Sequence, residues 1–194
     1  MKVREAGLRE GISEVIVTTK SASGTFNAAP IGIITRANDY FVKLYSGSTT
    51  LSNVMETSRL TANVTDDAVL FVKAAFKHLD ESYFSLFRGF PVLREADSWI
   101  VFQAMLAKKS SEYSVLHLMP NAVQINREEL KAINRGLNAV IEAAILATRY
   151  PVVKDEGYQE QIITLMKRYA DVVEKCGGPR EKEAMEFLTE KFLK

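Results

Sequence analysis

Residues 26–45 read FNAAPIGIITRANDYFVKLY, two runs rich in β-branched and aromatic residues on either side of Ala37-Asn38-Asp39. Phe26–Thr35 and Tyr40–Tyr45 have the length and composition of strands, and the intervening residues have turn chemistry. An antiparallel hairpin is the natural connection. Working outward, Ile16–Thr19 reads as a strand upstream and Leu60–Val64 as one downstream. Trp99–Ala107 and Tyr113–Ile125 read as two long strands around the polar turn Lys108–Glu112, completing a sheet or barrel. Between these strands, Asp66-Asp67 is placed to cap a helix over Ala68–Phe76.

Beyond Asn126 the period changes. Leu137, Val140, Ile141, Ala144, Ile145 and Thr148 fall on one helical face, and Ile162, Met166, Tyr169 and Val173 recur every three or four residues within Tyr158–Lys175. Gly177-Gly178 is expected to end that second helix through a left-handed cap, and Pro179 suits the first turn of a last helix with Glu181 and Glu183 near its positive end. The fold class is therefore α+β: a β domain over residues 1–126 and a helical subdomain over 127–194, with the boundary near Asn126–Asn134. No internal repeat relates the two parts.

Composition narrows the function. With 25 Lys and Arg against 24 Asp and Glu, the chain lacks the net positive charge of a nonspecific nucleic-acid binder. The single Cys176 cannot form an internal disulfide, and two His with one Cys supply few ligands for a structural zinc site, so no metal is assigned. A reducing cytoplasm is the expected setting. Residues 1–12 carry charges where a signal peptide has an apolar core, and apolar runs such as Ala143–Ala147 are far too short to span a bilayer. No membrane partner is expected.

Two segments carry chemistry. In the first, Asn27-Ala28-Ala29-Pro30-Ile31-Gly32-Ile33, small residues interrupt a bulky strand and allow a flat ligand to approach the backbone. A bulged edge strand packed by a neighbouring loop fits the same residues. In the second, Tyr45-Ser46-Gly47-Ser48-Thr49-Thr50-Leu51-Ser52-Asn53-Val54, a strand passes into a helix expected over Leu51–Thr57. Gly47 permits a tight turn, and the amides and hydroxyls at the helix start can receive phosphate oxygens. An ordinary Ser/Thr N-cap accounts for the same pattern without a ligand.

Together, NAAPIGI, YSGSTTLSNV and RLTANVTDD resemble the FMN-binding split barrels related to pyridoxamine phosphate oxidases and flavin reductases, especially a mainly archaeal family of uncharacterised flavoproteins. The tail segment INRGLNAVIEAAILATRY resembles the helix that follows the barrel in that family. The resemblance implies a split β-barrel with a C-terminal helical bundle, FMN as cofactor, and a homodimer holding FMN at its interface. It places Gly47, Ser48, Thr49 and Thr50 on the phosphate with Asn53 nearby. Asn27, Ala28, Ala29, Pro30 and Ile31 line the isoalloxazine, and Asn63 supports or contacts the cofactor. Many split barrels put Arg or Lys in the phosphate turn; here the turn is neutral, leaving Arg36, Arg59 or a partner-chain cation to compensate.

The implied activity is that of a flavin-dependent oxidoreductase or a flavin-reductase-like protein with a small-molecule electron donor or acceptor, and no residue is assigned as catalytic. The basic C-terminal substrate grip of pyridoxamine phosphate oxidases has no counterpart in this chain. A non-catalytic flavin carrier or redox-sensing module, with the helical tail facing a partner, is the alternative; a fold without flavin is the third. His78, His117 and Cys176 read as structural residues, Asp66 and Asp67 as caps, and Trp99 as core. Arg135, Glu142 and Arg149 form ion pairs, a subunit contact or a solvated face.

Overall fold

In a computed structural model, which describes residues 2–193, eight strands and five α-helices follow one another. They are β1 (Gly11–Lys20), β2 (Phe26–Arg36), β3 (Asp39–Tyr45), α1 (Thr49–Thr57), β4 (Arg59–Val64), α2 (Ala68–Phe76), β5 (Phe84–Phe87), β6 (Phe90–Leu93), β7 (Ser98–Lys109), β8 (Tyr113–Ile125), α3 (Arg135–Arg149), α4 (Glu156–Cys176) and α5 (Pro179–Phe192). Six strands close an antiparallel barrel in the order β1-β2-β3-β8-β7-β4, and β5 and β6 form a separate hairpin. The chain divides into two compact units. One takes the chain up to Thr65 with His78–Glu129; the other takes Asp66–Lys77 with the chain from Leu130 onward.

The hairpin at 26–45 forms as its sequence implies. Its loop is Ala37-Asn38, both at positive φ (50° and 70°), which matches the twist of the flanking strands. β2 pairs with β1 along its whole length, from Gly11 opposite Thr35 to Lys20 opposite Phe26. With β3, however, it pairs only from Ile33 to Arg36, opposite Val42 to Asp39. Phe26–Gly32 of β2 and Lys43–Tyr45 of β3 therefore diverge, and β3 continues against β8 alone. This divergence is the split in the barrel.

The barrel interior is filled by Val15, Val17, Ile33, Val42, Leu60, Phe102, Leu116 and their neighbours, all nearly inaccessible. On β1 the intervening Ile16 and Thr18 are equally buried, so Val15–Thr19 is a continuous buried run. The cause is the β5–β6 hairpin, which covers the outer face of β1 and β4. Thr18 Oγ1 donates to the Pro91 carbonyl, and Asn63 Oδ1 accepts from the Leu93 amide at 2.7 Å. Sequence periodicity predicts neither β5 nor β6, because each has four residues and their turn is Arg88-Gly89, with φ of 53° and 79°. The N-terminal segment also joins the core through Val3, Ala6 and Leu8.

In the second unit, α2 packs against α3 and α5, capped by Asp67, whose Oδ1 accepts from the Leu70 amide at 3.0 Å. Arg180 of α5 binds Asp67 in turn, and that pairing raises the pKa of the Arg180 guanidinium. Two sequence expectations are corrected here. Of the expected face of α3, Val140 and Ala144 are buried, but they are joined by Gly136, Ala139, Ala143 and Ala147, whereas Leu137, Ile141 and Ile145 are half-buried and Thr148 is exposed. Small side chains allow a neighbouring helix to approach closely, and that proximity outweighs the larger apolar area on the adjoining face. Gly177 and Gly178 are not left-handed: their φ values are −83° and −82°. Gly177 is glycine for want of space, since a Cβ on it would stand 2.7 Å from the Val173 carbonyl oxygen and 2.9 Å from Glu181 Cβ. Pro179 and Glu181 act as their sequence suggests, with Glu181 Oε2 accepting from the Gly178 amide at 2.7 Å.

Candidate functional site

The site is built where β2 and β3 part. After Tyr45 the chain turns through Gly47, whose φ of +80° favours a residue without Cβ, and enters α1. The helix begins at Thr49, two residues before the start expected from sequence. Ser48 is its N-cap: Ser48 Oγ accepts from the Leu51 amide at 3.3 Å and donates to the Tyr45 carbonyl at 2.8 Å. The Ser48 amide donates to the Tyr45 carbonyl as well. Among the described residues, the amides of Thr49 and Thr50 have no acceptor. They point out of the helix start, where the partial positive charge of α1 is concentrated.

The hydroxyls of the turn divide by exposure. Thr49 is exposed and Ser48 half-buried, so both are within reach of a ligand. Thr50 is 3% exposed, and its Oγ1 accepts from Asn27 Nδ2 at 3.1 Å. Asn53 is 5% exposed, and its Nδ2 donates to Thr19 Oγ1 at 3.0 Å. Of this pair only the Thr50 amide is directed to the helix start; the side chains of both residues fasten α1 to the barrel.

Along β2, Asn27, Ala28, Ala29, Pro30 and Ile31 are all half-buried, unlike the inaccessible Ile33 further along. They lie in the stretch that has β1 on one side and no strand on the other. Small side chains beside a free strand edge leave room for a planar group along the backbone. Gly32 has a different cause: a Cβ there would lie 2.6 Å from Ile12 Cγ2 and 2.9 Å from Glu14 Oε1, both on β1. Asn63 is fully buried. Its Nδ2 donates to the Ile16 carbonyl at 2.8 Å and Thr18 Oγ1 at 3.0 Å, so both ends of its amide serve the joint between barrel and hairpin.

The residues considered as counter-charges are not gathered at the turn. Arg36 ends β2 at the hairpin, six residues from Pro30 or about 20 Å along the strand. Arg59 follows the far end of α1, and its guanidinium stacks on Phe90 at 4.9 Å. The helix start therefore offers neutral donors. His117 Nε2 stands 3.5 Å from Asp39 Oδ1 across the β3–β8 pair, while His78 is exposed. No group of three or more His, Cys, Asp or Glu side chains able to hold a metal occurs among the described residues, and none of their helices is long and apolar enough to cross a membrane.

Two family models match the chain. Residues 13–127 match the model described as protein of unknown function (DUF447) N-terminal domain, and residues 134–190 match protein of unknown function (DUF447). The crystal structure of FMN-bound protein MM1853 from Methanosarcina mazei is 38% identical, covers 97% of this chain and 99% of its own, and superposes with a TM-score of 0.89. Uncharacterized protein MJ1453 of Methanocaldococcus jannaschii is 24% identical, over 91% of this chain and 96% of its own. The styrene monooxygenase flavin reductase of Pseudomonas putida S12 shares the fold at a TM-score of 0.51, with 14% identity over 62% of this chain and 84% of its own.

Proposed function

This chain belongs to the DUF447 family, and from that premise we propose that it is an FMN-binding flavoprotein whose phosphate site is the start of α1. The observation that carries the reading is the end-to-end likeness to an FMN-bound relative. The local chemistry fits. A phosphate dianion needs several convergent donors, and the Thr49 and Thr50 amides, the Thr49 hydroxyl and the helix dipole supply them without a cation. The free edge and small side chains of Asn27–Ile31 suit the flat ring, with Ala28, Ala29 and Pro30 offering backbone at close range. Asn63 supports this strand from behind, through β1.

FMN supplies hydride and electron transfer; the protein positions the ring, tunes it through hydrogen bonds and limits access by water and oxygen. The activity proposed is that of a flavin-dependent oxidoreductase or flavin-reductase-like protein, cytoplasmic, exchanging electrons with a small molecule. The flavin sits at the interface of a homodimer, where the partner completes the ring's enclosure.

The test is spectroscopic, then mutational. The purified protein is expected to show flavin absorbance bands and to release FMN on denaturation. Thr49→Ala is expected to weaken FMN about tenfold, as loss of one hydrogen bond to a charged group implies, and to leave riboflavin unchanged. A folded Thr49→Ala protein that keeps its full preference for FMN over riboflavin would move the phosphate away from Thr49.

A further inference from the structure

Besides the exposed bond from the Ala22 amide to Glu56 Oε2, two side-chain hydrogen bonds tie α1 to the barrel strands, and they run in opposite directions. Asn27 of β2 donates to Thr50 of α1, while Asn53 of α1 donates to Thr19 of β1. Thr19 and Asn27 are direct cross-strand partners. Thr50 and Asn53 are three residues apart, on one face of the helix and about one turn from each other. The four side chains thus close a square, with one edge across the strands and one along the helix. Thr19, Thr50 and Asn53 are at most 5% exposed and Asn27 is half-buried, so the Asn53–Thr19 bond is shielded from water and the Asn27–Thr50 bond partly so.

Their purpose is direction rather than attachment. Attachment comes from Leu51 and Val54, which pack on the barrel core; such burial is non-directional and lets a helix roll. One hydrogen bond would act as a pivot. Two bonds a turn apart set both the rotation of α1 and its height against β2. That setting matters at this helix because Thr50 presents its side chain to Asn27 and its unpaired amide to the helix start.

We propose that Asn27 and Asn53 are positioning residues: through Thr50 and Thr19 they fix the aim of the Thr49 and Thr50 amides, and their distance from the open stretch of β2, so that FMN is preferred over flavins without the phosphate. This rests on the FMN reading above. In this role Asn27 and Asn53 each commit an N–H of the side-chain amide to the clamp and act on the phosphate site through Thr50 and Thr19.

The experiment titrates the full-length apoprotein with FMN and with riboflavin, using far-UV circular dichroism to establish folding and the 31P resonance of bound FMN as a second readout. In Asn27→Ala/Asn53→Ala the preference for FMN over riboflavin is expected to fall about tenfold, the cost of misdirecting one hydrogen bond to a charged group, over and above any loss common to both flavins from altering Asn27 beside the ring. The 31P resonance is expected to move toward that of free FMN. Thr50→Ser is expected to keep the preference and Thr50→Val to lose it. A clamp that only stabilised the fold would weaken both flavins equally, so an unchanged preference in the folded double variant overturns the proposal. If the double variant does not fold, the near-isosteric Thr19→Val is read by the same criterion: a fall supports the clamp, an unchanged preference overturns it. An unaltered protein that does not prefer FMN to riboflavin sinks the FMN reading itself, a result visible before any variant is made.

Discussion

Asn63 shows how much one side chain can commit. Its amide donates to β1 at the Ile16 carbonyl and Thr18 Oγ1, and accepts from β6 at the Leu93 amide, all within a fully buried site. Removing it leaves several buried groups without partners, so Asn63→Ala is expected to destabilise the protein by about 3 kcal/mol. Chemical denaturation measures this; a loss below about 1 kcal/mol, the worth of a single ordinary hydrogen bond, would mean that water replaces the amide. Asn63 and Asn27 look alike in sequence, each a polar residue in a strand. Only the partners tell a hairpin anchor from a helix clamp, and those partners lie 47 and 23 residues away in the chain.

At the scale of elements, the β2–β3 turn is suboptimal. Ala37 holds φ of 50° in a two-residue loop that favours residues without Cβ at its positive-φ positions. Ala37→Gly is expected to raise stability by about 1 kcal/mol, because the relief of left-handed strain exceeds the entropy that glycine adds to the unfolded chain. A fall in the denaturation midpoint would show the strain to be absent. In the helical unit the sign reverses: at Gly136 an added Cβ meets the Gly177 backbone at 2.5 Å, and backbone yields less readily than a side chain. Gly136→Ala is therefore expected to cost about 2 kcal/mol, as for other overpacked sites, despite alanine's better helix propensity. Hydrogen exchange of α3 and α4 is the direct measurement, and unchanged protection there would contradict the close approach.

For the molecule as a whole, the expected state is a homodimer. The proposed ring site is walled by β1 on one side of β2 and by no strand on the other, and the proposed two-fold partner is expected to supply the missing wall. Light scattering on the FMN-loaded protein is expected to give twice the 21.7 kDa chain mass at micromolar concentration. A loaded monomer would place the ring in a site complete within one chain.

The sequence by itself determined the six barrel strands, the hairpin at 26–45, the turn at Gly47 and the existence of the three tail helices, because each is written in local period and turn chemistry. It did not determine how α3 is turned: Val140 and Ala144 of the expected stripe are buried, and helix proximity adds the small residues Gly136, Ala139, Ala143 and Ala147 in place of Leu137, Ile141 and Ile145. Nor did it reveal β5 and β6, too short for a period, or the buried outer face of β1 that they cover. At the candidate site the motif located Ser48, Thr49, Thr50 and Asn53 as a group and could not divide them. Tertiary structure decided that Thr49 faces out while Thr50 and Asn53 turn inward, because solvent exposure and hydrogen-bond partners are set by which strands pack against the helix, not by its own spacing.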